Sequence, residues 1–151
     1  DKGDVQVIQS GSGISHSEFI QKNSSIFQIW FDPNIHKTLY DKPKYKDYKS
    51  NFFKIKNNKK TIIGKDSSLK IKSEDIEIFE LKLTEDIILN LNSKKYYSIY
   101  LLSGKIALKE KEINNHDFIK ISNENNISLQ IINESNLFVI ASPINVSYET
   151  Y

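Results

Sequence analysis

Short apolar stretches rich in Ile, Val, Phe and Tyr alternate with polar positions along most of the chain and are bounded by Gly, Asn, Ser and Asp. Period-two alternation puts every second side chain on one face of an extended segment, so the pattern predicts β-strands. The first three fall at Val5–Ile8, Ser15–Phe19 and Phe27–Asp32. From Leu69 onward they come at close spacing: Leu69–Ile71, Ile76–Leu83, Ile87–Leu91, Tyr96–Leu102, Lys105–Glu110, Phe118–Ile121, Ser128–Ile132 and Leu137–Ala141. A series of short strands this dense predicts an antiparallel sandwich or barrel, and no amphipathic helix of useful length competes with it.

Three details refine that picture. Ser103-Gly104 lies between two strand runs and reads as a hairpin turn, glycine supplying the positive φ. The alternation changes phase near Ile78-Phe79, which a β-bulge would accommodate. Leu137 to Ile140 is apolar without alternation, as expected for a strand covered on both faces.

Between the two groups of strands the texture changes. Residues 37–60 hold nine lysines against two acids, Asp41 and Asp47, interleaved with Tyr40, Tyr45, Tyr48, Phe52 and Phe53. Lysine and aromatic side chains together could track phosphates and stack bases. Arginine is absent and no recognition motif frames the run, so it reads instead as a solvated connecting segment with one short strand. The net charge of +2 creates no field that would favour nucleic acid or an anionic membrane.

With 151 residues and 38% hydrophobic content, the chain can bury the core of one ordinary domain, or of a small domain with part of another. It contains no cysteine, which excludes disulfides and thiolate zinc sites and suits a cytoplasmic setting. No apolar run approaches the roughly 20 residues that span a bilayer. Methionine is absent even at position 1, so the chain reads as a fragment or processed product lacking its N-terminal part.

Candidate chemistry concentrates at His16-Ser17-Glu18, which follows the glycine-spaced run Gly11-Ser12-Gly13. On a strand, residues two apart share a face, so His16 and Glu18 could enter one cavity as metal ligands. Imidazole and carboxylate are part of the set that non-haem iron prefers, yet at least one further histidine is required. The bland alternative is an incidental His-Ser-Glu on a surface strand. His36 and His116 read as solvated loop residues. Gln28 and Trp30 alternate with Ile29 and Phe31, so one of these pairs faces inward as core or as the lining of a cavity.

Gly3-Asp4, then Gly13 with His16 three residues on, resembles a conserved turn-and-ligand motif of cupins. The run Asp4-Val5-Gln6-Val7 through Ser10-Gly11-Ser12-Gly13-Ile14-Ser15-His16-Ser17-Glu18-Phe19, followed by Gln28-Ile29-Trp30 and Pro33, resembles the pirin family more narrowly. Pro43-Lys44-Tyr45, Ser67-Ser68-Leu69-Lys70-Ile71 and Tyr100-Leu101-Leu102-Ser103-Gly104 are similar to later parts of the same family. Ser15, where many members carry a basic residue, and Ile20, where a polar one is usual, depart from its pattern.

The resemblance implies an all-β fold of cupin-type antiparallel β-barrels, or double-stranded β-helices. Residues 1–33 would be the C-terminal part of an N-terminal barrel, 34–68 a connecting segment, and 69–151 a complete, metal-free C-terminal barrel. It further implies one Fe(II) bound by three histidines and a glutamate. His16 and Glu18 would be two of these ligands, with a His-x-His pair expected upstream. The implied function is an iron-dependent oxygenase of the quercetin 2,3-dioxygenase type, acting on a flavonoid or phenolic substrate with Glu18 as general base. The family also admits a non-catalytic, redox-sensing regulatory module that meets a protein partner, or an inactive remnant. Direct contact with nucleic acid or membrane is not expected.

Overall fold

The computed structural model describes residues 1–150, and the chain divides into two compact units. The first comprises Asp1–Phe52 together with the residues from Ser147 onward, the second Phe53–Val146.

In the first unit, β1 (Val5–Gln9) pairs antiparallel with β2 (Lys44–Tyr48), and α1 (Ile35–Thr38) is a single turn. The ladder runs from Val5 opposite Tyr48 to Gln9 opposite Lys44. Asp4 ties one end of it. Its carboxylate accepts from Lys49 Nζ at 2.8 Å and from the Ser50 backbone N–H at 2.9 Å. These donors, with the N-terminal ammonium, hold the Asp4 carboxyl well below the usual carboxylate range. The predicted strands Ser15–Phe19 and Phe27–Asp32 do not form. A strand needs a neighbour to take its backbone hydrogen bonds, and among the described residues the only ladder of this unit is the one joining β1 and β2. Of their aromatic side chains, Phe19 and Trp30 stand in solvent, at 90% and 83% exposure.

The second unit contains β3 (Ile55–Lys56), β4 (Lys59–Ile63), β5 (Glu77–Leu83), β6 (Ile87–Asn90), β7 (Lys95–Leu108), β8 (Lys111–Ile113), β9 (Phe118–Ile121) and β10 (Asn126–Pro143). They form one antiparallel sheet in the order β3-β4-β5-β10-β7-β8, with β6 added to β10 and β9 to β7. The connecting segment is therefore more structured than its composition predicts: residues 44–63 supply β2, β3 and β4. Lys56 and Lys59 close a two-residue hairpin whose Asn57 and Asn58 both take positive φ, a conformation asparagine tolerates. Lys59 places its ammonium 3.9 Å from the Phe79 ring centroid.

Two long strands organise this sheet. β7 pairs with β9 along its first half and with β8 along its second, while β10 pairs with β6 first and with β5 later. Both strands continue through a bend marked by register shifts between Ile131 and Leu137. Ser103-Gly104 is thus not a hairpin turn: two expected strands merge into β7, and two more merge into β10. The core lies on the inner faces of the bent sheet, where Leu101, Ile99, Ile106, Leu129, Leu137 and Val139 are at most 1% exposed. Within β10 the residues Phe138 and Ile140 are half-buried, so the non-alternating run is covered fully on one face and partly on the other. The phase change in β5 meets a register shift in β4, where Ile62 is inserted between Thr61 opposite Phe79 and Ile63 opposite Ile78. Leu69 is fully buried without belonging to a strand, its N–H held by Ser67 Oγ at 3.1 Å.

The expected cupin-type barrels are not formed. The large sheet begins at β3, two residues long, and ends at β8, three residues long, and these end strands do not pair. Closure requires a continuous circuit of backbone hydrogen bonds, which such short, unjoined edges do not complete. The first unit has only a two-stranded sheet. The architecture is mostly β, antiparallel and open, with almost no helix.

Candidate functional site

The candidate site is set up by the end of β1. After Gln9 the chain turns, Gly13 N–H donating to Ser10 O at 2.9 Å, and Ser12 N–H donates to Asp41 O at 3.0 Å. Gly11 makes this approach feasible. At φ +53° a Cβ there would sit 2.2 Å from Asp41 O, so only glycine lets the two backbones meet.

Beyond that clamp the chain carries His16 and Glu18. Their side chains converge, His16 Nε2 lying 3.9 Å from Glu18 Oε1, with both about one-third exposed. They meet without the strand ladder that the period-two argument assumed. A divalent ion bonded at about 2.1 Å to nitrogen and oxygen donors spans up to about 4.2 Å between them, so the pair fits a shared ion in geometry and in donor type. It does not fit in number. Among the described residues no group of three or more His, Cys, Asp or Glu converges as a metal site. The expectation that this chain is itself metal-binding is corrected accordingly: two donors leave an iron mostly to water.

The other candidates lie elsewhere. His36 sits in α1 and is exposed. His116 belongs to the second unit, in a turn at φ +72°, with Nδ1 3.0 Å from the Tyr100 hydroxyl and Nε2 3.2 Å from Asn115 Nδ2. Gln28 and Trp30 are both exposed, and the inward-facing reading does not hold for them.

Sequence reasoning passed over a hydrogen-bonded group on one face of the β1–β2 ladder. Tyr45 donates its hydroxyl to the Asp47 carboxylate, at 2.9 and 3.0 Å to the two oxygens, and accepts from Gln6 Nε2 at 2.8 Å. The hydrogen bond to Asp47 raises the phenol's pKa above the usual tyrosine value. Burial and the Asp47 charge add to this, Gln6 opposes it, and the Glu18 charge contributes a smaller rise. The pairing of Gln6 with Asp47 and Ile8 with Tyr45 creates the group, and no spacing within either strand announces it.

The antiparallel sheet of the second unit and, in the first, a His-x-Glu pair reached through a glycine clamp are features of the cupin class of proteins. A family model described as the quercetinase C-terminal cupin domain matches residues 62–141, more than half of the chain, and the chain belongs to this pirin and cupin family. No curated protein matches the sequence. Among solved structures, a quercetin 2,3-dioxygenase from Acinetobacter baumannii is similar over 99% of this chain and 59% of its own, with 19% identity and a TM-score of 0.75. GK1651 from Geobacillus kaustophilus is similar over 95% of this chain and 65% of its own, with 16% identity and a TM-score of 0.72. YhhW from Escherichia coli matches 71% of this chain and 47% of its own, at 18% identity and a TM-score of 0.58. The chain thus spans less than two-thirds of each of these proteins, and at such identities the likeness is one of fold. No helix among the described residues is long and apolar enough to cross a membrane.

Proposed function

We propose that this chain is part of an iron-dependent oxygenase of the quercetin 2,3-dioxygenase type, with His16 and Glu18 as two of the ligands of one Fe(II). The observation that carries this reading is the 3.9 Å approach of His16 Nε2 to Glu18 Oε1 in a member of the quercetinase family. Two further histidines, from beyond the 150 described residues, would complete the donor set. When bound, the ion supplies Lewis-acid and redox chemistry toward O₂ and a phenolic oxygen.

The chain's own contribution is positional. The Gly11–Asp41 clamp fixes where the His16–Glu18 segment leaves β1, and the His16 imidazole presents its Nε2 toward the Glu18 carboxylate. Glu18 also serves as the base that takes a hydroxyl proton from a flavonoid substrate within hydrogen-bonding reach.

The test uses the complete gene product, loaded anaerobically with Fe(II) and supplied with quercetin and O₂. Quercetin loss should accompany oxygen uptake, vanish in His16→Ala, and fall by about 100-fold or more in Glu18→Gln. An iron-loaded protein without turnover, or unchanged turnover in His16→Ala, overturns the oxygenase reading in favour of a non-catalytic binding module.

A further inference from the structure

In the second unit β3, β6, β8 and β9 each pair with a single neighbour and leave their other side open. An open strand edge is a template for pairing with another chain, and a lysine placed on it is a common defence. β3 carries Lys56, β8 carries Lys111 and β9 carries Lys120. β6 is Ile87-Ile88-Leu89-Asn90, with neither a charge nor a proline.

The register shows what this edge offers. Leu91 N–H donates to Asn125 O at 2.8 Å, and the ladder continues with Asn90 opposite Asn126, Leu89 opposite Ile127 and Ile88 opposite Ser128. Antiparallel pairs alternate between hydrogen-bonded and non-hydrogen-bonded, so Leu89 and Ile87 turn their N–H and C=O toward β10 while Ile88 and Asn90 turn theirs away from it. Those outward groups meet no partner among the described residues. The side chains alternate as well. Ile87, Leu89 and Leu91 pack against the core and anchor the strand. Ile88 is 67% exposed on the solvent face, an apolar residue among the exposed Asn90, Asn126 and Ser128.

We infer that the β6 edge is a self-association surface, on which a second copy of this chain adds its own β6 antiparallel about a two-fold axis through Leu89. With Ile88 opposite Asn90 of the second copy, and Asn90 opposite its Ile88, every outward N–H and C=O of these two residues finds a partner. The two Ile88 side chains then occupy diagonal positions on one face. Charge complementarity selects this partner and its direction. Glu85 precedes the strand and Lys94 follows it; both are exposed, and neither forms an ion pair among the described residues. An antiparallel copy brings the acidic end of each β6 to the basic end of the other, whereas a parallel one would set like ends together. Asp86 is already held, its carboxylate accepting the Ile131 N–H at 2.7 Å. The surface lies within the second unit and uses neither His16 nor Glu18, so it stands or falls separately from the oxygenase reading.

The experiment follows the full chain by sedimentation velocity from about 5 µM to about 500 µM, with amide exchange measured at both ends of that range. A monomer–dimer equilibrium supports the inference if exchange at Ile88 and Asn90 slows by about tenfold or more at high concentration while Phe118 and Lys120, on the open edge of β9, are unchanged. Ile88→Lys should raise the dissociation constant by about tenfold or more, because it sets two ammonium groups across the axis. Asn90→Pro removes an outward N–H without taking a donor from the β10 ladder, and should have the same effect. Lys94→Glu should weaken the dimer by about threefold to tenfold, and adding Glu85→Lys should restore it. Because these two residues lie outside the strand, the charge swap decides the question even where a β6 variant fails to fold. A monomer at the highest concentration, a dimer undiminished in Ile88→Lys, or a double swap that does not restore association overturns it.

Discussion

Gly104 lies so close to Ser135 that a Cβ on the glycine would stand 2.3 Å from Ser135 Oγ and 2.4 Å from Glu134 O. This contact is the inside corner of the bend shared by β7 and β10. Ser135 is fully buried, accepts the Lys105 N–H at 3.1 Å and donates to Asn133 O at 2.8 Å, taking over backbone groups that the register shift leaves unpaired.

Gly104→Ala should therefore destabilise the second unit by about 2–4 kcal/mol, combining overpacking against backbone with a disfavoured φ of +99°. Gly13 is the control: its φ is +125° but nothing lies within 4 Å of an added Cβ, so Gly13→Ala should cost only about 1 kcal/mol. Urea unfolding followed by far-ultraviolet circular dichroism measures both. Fluorescence would not suffice, because the single tryptophan, Trp30, belongs to the first unit.

Lys95 supplies a pH-dependent term. It is 3% exposed, with Nζ 2.8 Å from Asp75 Oδ1 and 2.6 Å from Glu77 Oε1. Burial alone would lower its pKa, but hydrogen bonds and charge from the two carboxylates outweigh this and raise it above the ordinary 10.5. The folded state thus holds this proton more tightly than the unfolded state. The resulting stability is complete below pH 10.5 and is lost as pH rises through the higher folded value. Lys95→Met should lower stability by about 1–2 kcal/mol at neutral pH, since its partners are partly exposed, and should flatten the alkaline loss seen in wild type. Thermal unfolding between neutral pH and pH 11.5 checks it.

Gly11→Ala tests the clamp that precedes His16 and Glu18. The added methyl would collide with Asp41 O and break the Ser12–Asp41 hydrogen bond. Amide exchange at Ser12 should rise by about tenfold or more, and iron-dependent turnover of the complete gene product should fall with it. Faster exchange with full turnover would show that the clamp does not position the pair.

Tyr45 offers a spectroscopic check of its face of the β1–β2 ladder. Asp47→Asn replaces the charged carboxylate acceptor by a neutral amide and so weakens the stabilisation of the protonated phenol, and ultraviolet titration should show one tyrosine ionising at lower pH than in wild type. An unchanged titration would remove the Tyr45–Asp47 bond from the solution structure.

Much of this was legible in the residues, and the failures share a cause. Alternation located β1, β5, β6 and β9, whereas His16 and Glu18 approach each other without the strand from which their spacing was read. What alternation cannot report is the partner. Phe27–Asp32 has the composition of a strand, but among the described residues no ladder accepts it. Ser103-Gly104 has the chemistry of a turn, and only the bulge at Ser135 on the opposite strand makes it a bend instead. The barrel expectation failed likewise, because closure depends on edges that β3 and β8 are too short to supply. Tyr45, Asp47 and Gln6 form their group across the register of two strands nearly 40 residues apart, which neither strand's sequence records.

The position of β10 has a consequence for how the chain is made. It is the last strand of the second unit to be synthesised, yet it lies at the centre of the sheet between β5 and β7. β5, β6 and β7 wait for it to be joined: β4 pairs with β3 and β5, and β7 with β8 and β9, without it, but β5 and β7 have no ladder with each other and β6 pairs with β10 alone. On the ribosome the core residues of β5 and β7 therefore stay open to solvent and to chaperones until Pro143 has cleared the exit tunnel. Folding of this unit is then a late, non-local and comparatively slow event.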